Sequence, residues 1–107
     1  MPDLERFHLD VVPDRRRVTI APHGEFDVAT RDEVAEEAGR LLDAGFGSLV
    51  IDLKHVTFLD SSGLLTLMRL AERAQADGID FSVRQGSEHV RRLLALTGMD
   101  KHLPLAA

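Results

Sequence analysis

The chain has 107 residues, 44 % of them hydrophobic and 29 % charged, and its 13 Lys+Arg against 18 Asp+Glu give a formal net charge of −5. That is the length and balance of one soluble domain able to bury its own core. The absence of cysteine excludes a disulfide framework, a thiolate zinc site and a Cys nucleophile. The negative balance and the lack of Trp and Tyr argue against holding nucleic acid by phosphate neutralisation or base stacking. No apolar run approaches the roughly 20 residues of a membrane helix, and residues 1–6 carry no signal-peptide stretch. A cytoplasmic domain without membrane or nucleic-acid partners is therefore expected.

In chain order, Phe7, Leu9 and Val11 alternate with His8 and Asp10, the period of a half-buried strand. Pro13-Asp14 favours a turn, and Val18 and Ile20 resume the alternation until Pro22 and Gly24 are expected to end it. The two runs predict an antiparallel hairpin. Thr30, with Glu33 three positions on, has the pattern of a capping box opening a helix. Val34, Ala38, Leu41 and Leu42 share one face of it, and Gly45 or Gly47 supplies its exit. Leu49-Val50-Ile51 with Leu53 is the nearly continuous apolar run of a strand covered on both faces.

A second helix follows Asp60-Ser61-Ser62-Gly63, its stripe drawn from Leu64, Leu67, Met68, Ala71 and Gln75 or Ala74, and stops at Gly78. Leu65 and Leu70 flank that stripe, Leu70 being expected under neighbouring loops. Ile79, Phe81 and Val83 form another strand, and Ser87 caps a third helix that ends at Gly98. His102-Leu103-Pro104-Leu105 is compatible with a short edge strand. The order β-β-α-β-α-β-α, with that short last strand allowed, predicts an α/β domain with a mixed, mostly parallel sheet.

Chemistry concentrates at Asp60-Ser61-Ser62-Gly63. The plain account is capping, because Asp and Ser satisfy the first free amides of a helix and Gly eases a tight turn. Two adjacent hydroxyls exceed what one cap needs, so one can face solvent within reach of a modifying enzyme. A phosphate there adds about −1.5 to −2 charges beside Asp60. The helix N-terminus favours an anion, whereas an acidic partner docked over the loop does not. The fold thus survives a charge change that an interface does not, which is the requirement for a binding switch.

These segments resemble the STAS domain, in particular the stand-alone bacterial anti-sigma factor antagonists. The likeness is carried by Gly24-Glu25-Phe26-Asp27, by Leu49-Val50-Ile51-Asp52-Leu53, by Phe58-Leu59-Asp60-Ser61-Ser62-Gly63-Leu64, and by residues 90–94 with Thr97-Gly98-Met99. The resemblance implies a single STAS domain over residues 1–107, its core at about 7–105. Family members commonly continue into a C-terminal helix, which this sequence lacks.

It further implies phosphorylation at Ser61 by a partner that is both serine kinase and anti-sigma factor, and reversal by a serine phosphatase. Asp27, Asp60, Ser62 and Gly63 are the positions implied to border that site; Leu65, off the helix stripe and one turn from Ser61, is expected from that placement to be an apolar contact for the partner. The function so implied is an anti-sigma factor antagonist that holds the anti-sigma factor when unmodified and frees a sigma factor. It is a switch and not an enzyme, with no cofactor. The rival is a constitutive STAS-like accessory subunit of a transport or lipid-trafficking ATPase complex, whose serine pair is merely a cap.

Other candidates are weaker. Asp52 at a strand end has none of the acidic pair or Lys that a phosphoacceptor aspartate needs. His8, His23, His55, His89 and His102 are dispersed, show no zinc-ligand spacing, and read as surface or edge residues without metal. The Gly-x-Ser-x-Gly elbow of a serine hydrolase is missing, and Asp14-Arg15-Arg16-Arg17 is a solvated hairpin tip.

Overall fold

The computed structural model describes residues 6–106; residues 1–5, where no leader stretch was found, lie outside them. Strands β1 (His8–Asp14) and β2 (Arg17–Phe26) form the expected antiparallel hairpin, with His8 opposite His23 and Asp14 opposite Arg17. The break expected at Pro13-Asp14 does not occur. Both residues lie within β1, and the turn is Arg15-Arg16, with Arg15 at φ +60°. An edge strand can carry a proline, and β1 is at the sheet edge.

Strand β2 also runs through Pro22 and Gly24 to Phe26, past the residues expected to end it. The reason is a change of partner. β2 pairs in parallel with β3 (Ser48–Asp52) along residues 17–20, and with β4 (Val56–Leu59) along residues 24–26. Pro22 falls in the interval between the two ladders, where its missing amide costs neither of them a bond. β4 is itself a strand that the sequence pattern did not reveal. β3 also pairs in parallel with β5 (Asp80–Arg84), and β5 with β6 (Leu105–Ala106), giving the mixed, mostly parallel sheet β1-β2-β3-β5-β6 with β4 on the continuation of β2. Of the segment His102-Leu103-Pro104-Leu105, only Leu105 enters β6; Leu103 is buried in the core.

Helix α1 (Arg31–Asp43) buries Val34, Ala38, Leu41 and Leu42, and Gly45 follows at φ +99°. Helix α2 (Ser61–Ala76) buries Leu64, Leu67 and Ala74, with Met68 and Ala71 packed partly in. Leu70 is not at the flank: it is 6 % exposed and belongs to the core, and Thr66 is buried too. α2 packs against α1 as well as against β4 and β5, so its covered face is wider than a one-sided stripe. Thr66 meets the demand of burial by donating its hydroxyl to Ser62 O at 2.9 Å. Across the helix ends, Arg73 Nη2 bonds Asp43 Oδ1 at 2.6 Å, a contact that raises the Arg73 pKa further. Helix α3 (Glu88–Leu96) is capped as expected, Ser87 Oγ accepting from Val90 N at 3.2 Å, and Gly98 exits at φ +76°. Among the described residues no helix is long and apolar enough to cross a membrane.

Leu49, Val50 and Ile51 are all buried, confirming that β3 is covered on both faces. Ile51, fully buried between β2 and β5, is a direct measure of this core. Ile51→Ala is expected to cost about 2–5 kcal/mol in urea unfolding, with the midpoint lowered and the m-value unchanged.

Candidate functional site

The site is built where β2 and β4 end side by side. Phe26 pairs with Leu59, so the next residues, Asp27 and Asp60, leave adjacent parallel strands at the same edge. The two exits are tied together, because Asp60 N donates to Phe26 O at 3.4 Å. Ligand and partner sites in α/β sheets gather at such carboxyl ends of strands.

At Asp60 the chain is extended (φ −110°, ψ −174°), and its Oδ1 accepts from Gly63 N at 3.0 Å. The aspartate is therefore the cap of α2, meeting one of the free amides of its first turn. Neither serine is used for that purpose. Ser61 is exposed, and its hydroxyl makes no hydrogen bond to any described residue; Ser62 is half-buried. Gly63 is buried against the strands. A Cβ there would lie 2.7 Å from Phe26 O and 2.6 Å from Leu59 Cδ1, so only glycine lets α2 start this close to β2 and β4. Gly63, grouped by the resemblance with the residues bordering the site, thus faces inward and sets the height of the Ser61 loop.

The second loop is closed by Asp27. Its Oδ1 accepts from Ala29 N at 3.0 Å, while its own amide donates to Thr30 Oγ1 at 3.0 Å. Thr30 does not cap α1 by the expected capping box. Its hydroxyl donates back to Glu25 O at 2.6 Å, and no side-chain cap bond forms at its helix. The competing loop geometry has captured the hydroxyl, as Thr side chains allow. The result is a rigid turn that holds the half-buried Asp27 carboxylate at the strand end.

Leu65 is 42 % exposed, one turn beyond Ser61. Val28 and Phe58 are also exposed and lie within four residues of Asp27 or Ser61 along the chain. Neither stands out in the sequence as an exposed residue. Asp52 Oδ1 accepts from Lys54 N at 3.0 Å and its Oδ2 lies 3.9 Å from Arg84 Nη1, so this carboxylate closes the end of β3. The histidines, by contrast, are not all dispersed. The rings of His8, His23 and His55 stack, with centroids 4.3 and 4.2 Å apart, because the hairpin register and the return of the chain at β4 bring them together.

The division of labour between Asp60 and Ser61 has a measurable consequence. Asp60→Ala is expected to lower stability by about 0.5–2 kcal/mol through loss of the cap, while Ser61→Ala changes it by less than about 0.5 kcal/mol, as for an exposed surface position; thermal and urea unfolding check both.

The sequence matches the STAS domain family over residues 8–107. It is 34 % identical over 98 residues to the anti-sigma-F factor antagonist RsfB of Mycobacterium tuberculosis, covering 83 % of this chain and 80 % of that protein. The structure is similar to that of an anti-sigma factor antagonist from Mycobacterium paratuberculosis, with a TM-score of 0.85, 28 % identity, and 98 % and 89 % of the two chains covered. It also shares its fold with the anti-sigma factor antagonist SpoIIAA in its unphosphorylated form, with a TM-score of 0.75, 19 % identity, and 95 % and 89 % covered. The family match spans nearly the whole chain, including both loops of the site: the protein belongs to the STAS domain family.

Proposed function

We propose that this chain is an anti-sigma factor antagonist switched by phosphorylation of Ser61. The observation that carries this reading is the separation of roles at the start of α2: Asp60 caps the helix, and the Ser61 hydroxyl is exposed without a hydrogen-bond partner among the described residues. A kinase can take that hydroxyl without removing any bond that holds the fold. The names of its relatives, RsfB and the Mycobacterium paratuberculosis protein, support an anti-sigma factor as the partner. They do not support the rival, an ATPase accessory subunit.

In this reading the unmodified chain docks a kinase-type anti-sigma factor over the Asp27 and Asp60 loops, with Ser62 at the contact and Leu65 supplying apolar area. Gly63 acts from beneath by positioning the loop. Transfer of the γ-phosphoryl group of ATP to Ser61 Oγ breaks the bond to the β-phosphate oxygen, yields ADP and releases the hydroxyl proton. The new phosphoserine places about −1.5 to −2 charges beside Asp60, on the loop next to the Asp27 turn. The first-turn amides of α2 temper the repulsion within the chain, whereas a docked surface that had matched the neutral loop meets an unpaired charge and is released. Hydrolysis by a serine phosphatase restores the hydroxyl. The domain is the substrate in both steps and performs no catalysis.

Binding to the anti-sigma factor separates the alternatives. Ser61→Ala is expected to bind like the unmodified protein and to resist release by ATP. Ser61→Asp, with a single added charge, is expected to bind about tenfold more weakly or worse. Equal affinity for both variants, measured by titration calorimetry, contradicts the switch.

A further inference from the structure

We propose that His8, Asp10 and His23 form a binding site for one transition-metal dication of the zinc class. His8 and Asp10 are two apart on β1 and so share a face, and His23 stands directly opposite His8 on β2. One ligand atom from each of the three lies within 4.8 Å of the others. Asp10 is the hub: its Oδ2 is 2.7 Å from His23 Nε2 and its Oδ1 is 3.8 Å from His8 Nε2. An ion with bonds of about 2.0–2.1 Å holds its ligand atoms about 2.9–3.4 Å apart, a range these separations bracket.

Two further observations point to a cation at this place. His23 Nε2 is buried and makes no hydrogen bond, although Asp10 Oδ2 lies 2.7 Å away. His8 Nδ1 is 3.2 Å from the carbonyl oxygen of Arg6. A carbonyl only accepts, so Nδ1 carries a proton, and Nε2 is the ring nitrogen left facing the carboxylate. A cation between Nε2 and the carboxylate, whether a proton or a metal ion, completes that arrangement. Donation of the remote ring nitrogen to a backbone carbonyl is also how a metal-binding histidine is oriented.

A proton on His8 would satisfy one pair, but it bridges two atoms, whereas here three donor atoms lie within 4.8 Å of one another. Two imidazoles and one carboxylate suit Zn²⁺, Co²⁺ or Ni²⁺ rather than Mg²⁺ or Ca²⁺, which take oxygen ligands. The His8 and His23 rings are 17° from parallel, so binding requires them to fan apart; the His8 side chain, 53 % exposed, has room to turn. His55, stacked on the other side of His23, backs that ring. A groove of about 1020 Å³ lined in part by His8, His23, His55 and Phe58 opens beside the two rings. The ion would tie the edge strand β1 to β2 by side chains as well as by the backbone ladder.

The test uses the untagged full chain, stripped with a chelator and titrated with ZnCl₂ by calorimetry, with Co²⁺ absorption as the second readout. One equivalent is expected to bind, with visible Co²⁺ bands and a raised melting temperature. His8→Gln, Asp10→Asn and His23→Gln should each weaken binding about tenfold or more, while His102→Gln, away from the cluster, and titration with MgCl₂ serve as controls that change nothing. His8 and Asp10 are both more than half exposed, so their variants keep the fold if His23→Gln does not. Absence of saturable Zn²⁺ binding, or binding unchanged in His8→Gln and Asp10→Asn, overturns the site and leaves an ion pair on stacked rings.

Discussion

Asp60 Oδ1 accepts the amide of Gly63, and the arrangement of the whole site follows from which side chain makes that bond. A helix start leaves free amides that must be met. Were Ser61 or Ser62 to meet them, modifying that serine would remove the cap, and the signal would be read as a loss of fold. With a carboxylate in the role, the hydroxyl beside it is surplus to structure. The same carboxylate favours the positive end of the α2 dipole and sets a negative charge where a phosphate would arrive. Gly63 completes the device by letting the helix begin in contact with Phe26 and Leu59, so the loop is held by packing and not by its serines.

The second requirement is that two loops from distant parts of the chain share one edge. β2 is long enough to serve two parallel partners in turn, and its second partner, β4, carries the chain straight into the Asp60 loop. Asp27 and Asp60 are neighbours for that reason alone. The strand exchange around Pro22 is thus the link between the fold and the composition of the site.

Much of this was legible in the sequence. Period-two alternation marked the hairpin, the Leu49-Val50-Ile51 run marked a strand buried on both faces, and Ser87 and Gly98 marked the limits of α3. The Ser61 loop stood out because Asp60-Ser61-Ser62-Gly63 offers more capping groups than a helix can use. What was not legible depended on partners. Thr30 has a capping pattern, but its hydroxyl is drawn to Glu25 O by a turn that only the Asp27 loop creates. Leu70 looks peripheral on a helix with one covered side and is core on a helix covered by α1 as well. β4 is four residues long, too short for alternation to register. The histidines are far apart in sequence, and their stacking follows from cross-strand register, which no local spacing encodes. Sequence periodicity reports on one element and its nearest covering; groups assembled from three elements escape it.

The central claim is that the Ser61 hydroxyl, free of structural duty, is where charge is added. The most direct measurement is incubation of the native chain with its cognate kinase and ATP, followed by tandem mass spectrometry of the product. The account predicts one phosphate, on Ser61, in a protein whose circular dichroism is unchanged. Phosphate found only outside residues 60–63, or modification at Ser61 that unfolds the domain, would contradict it.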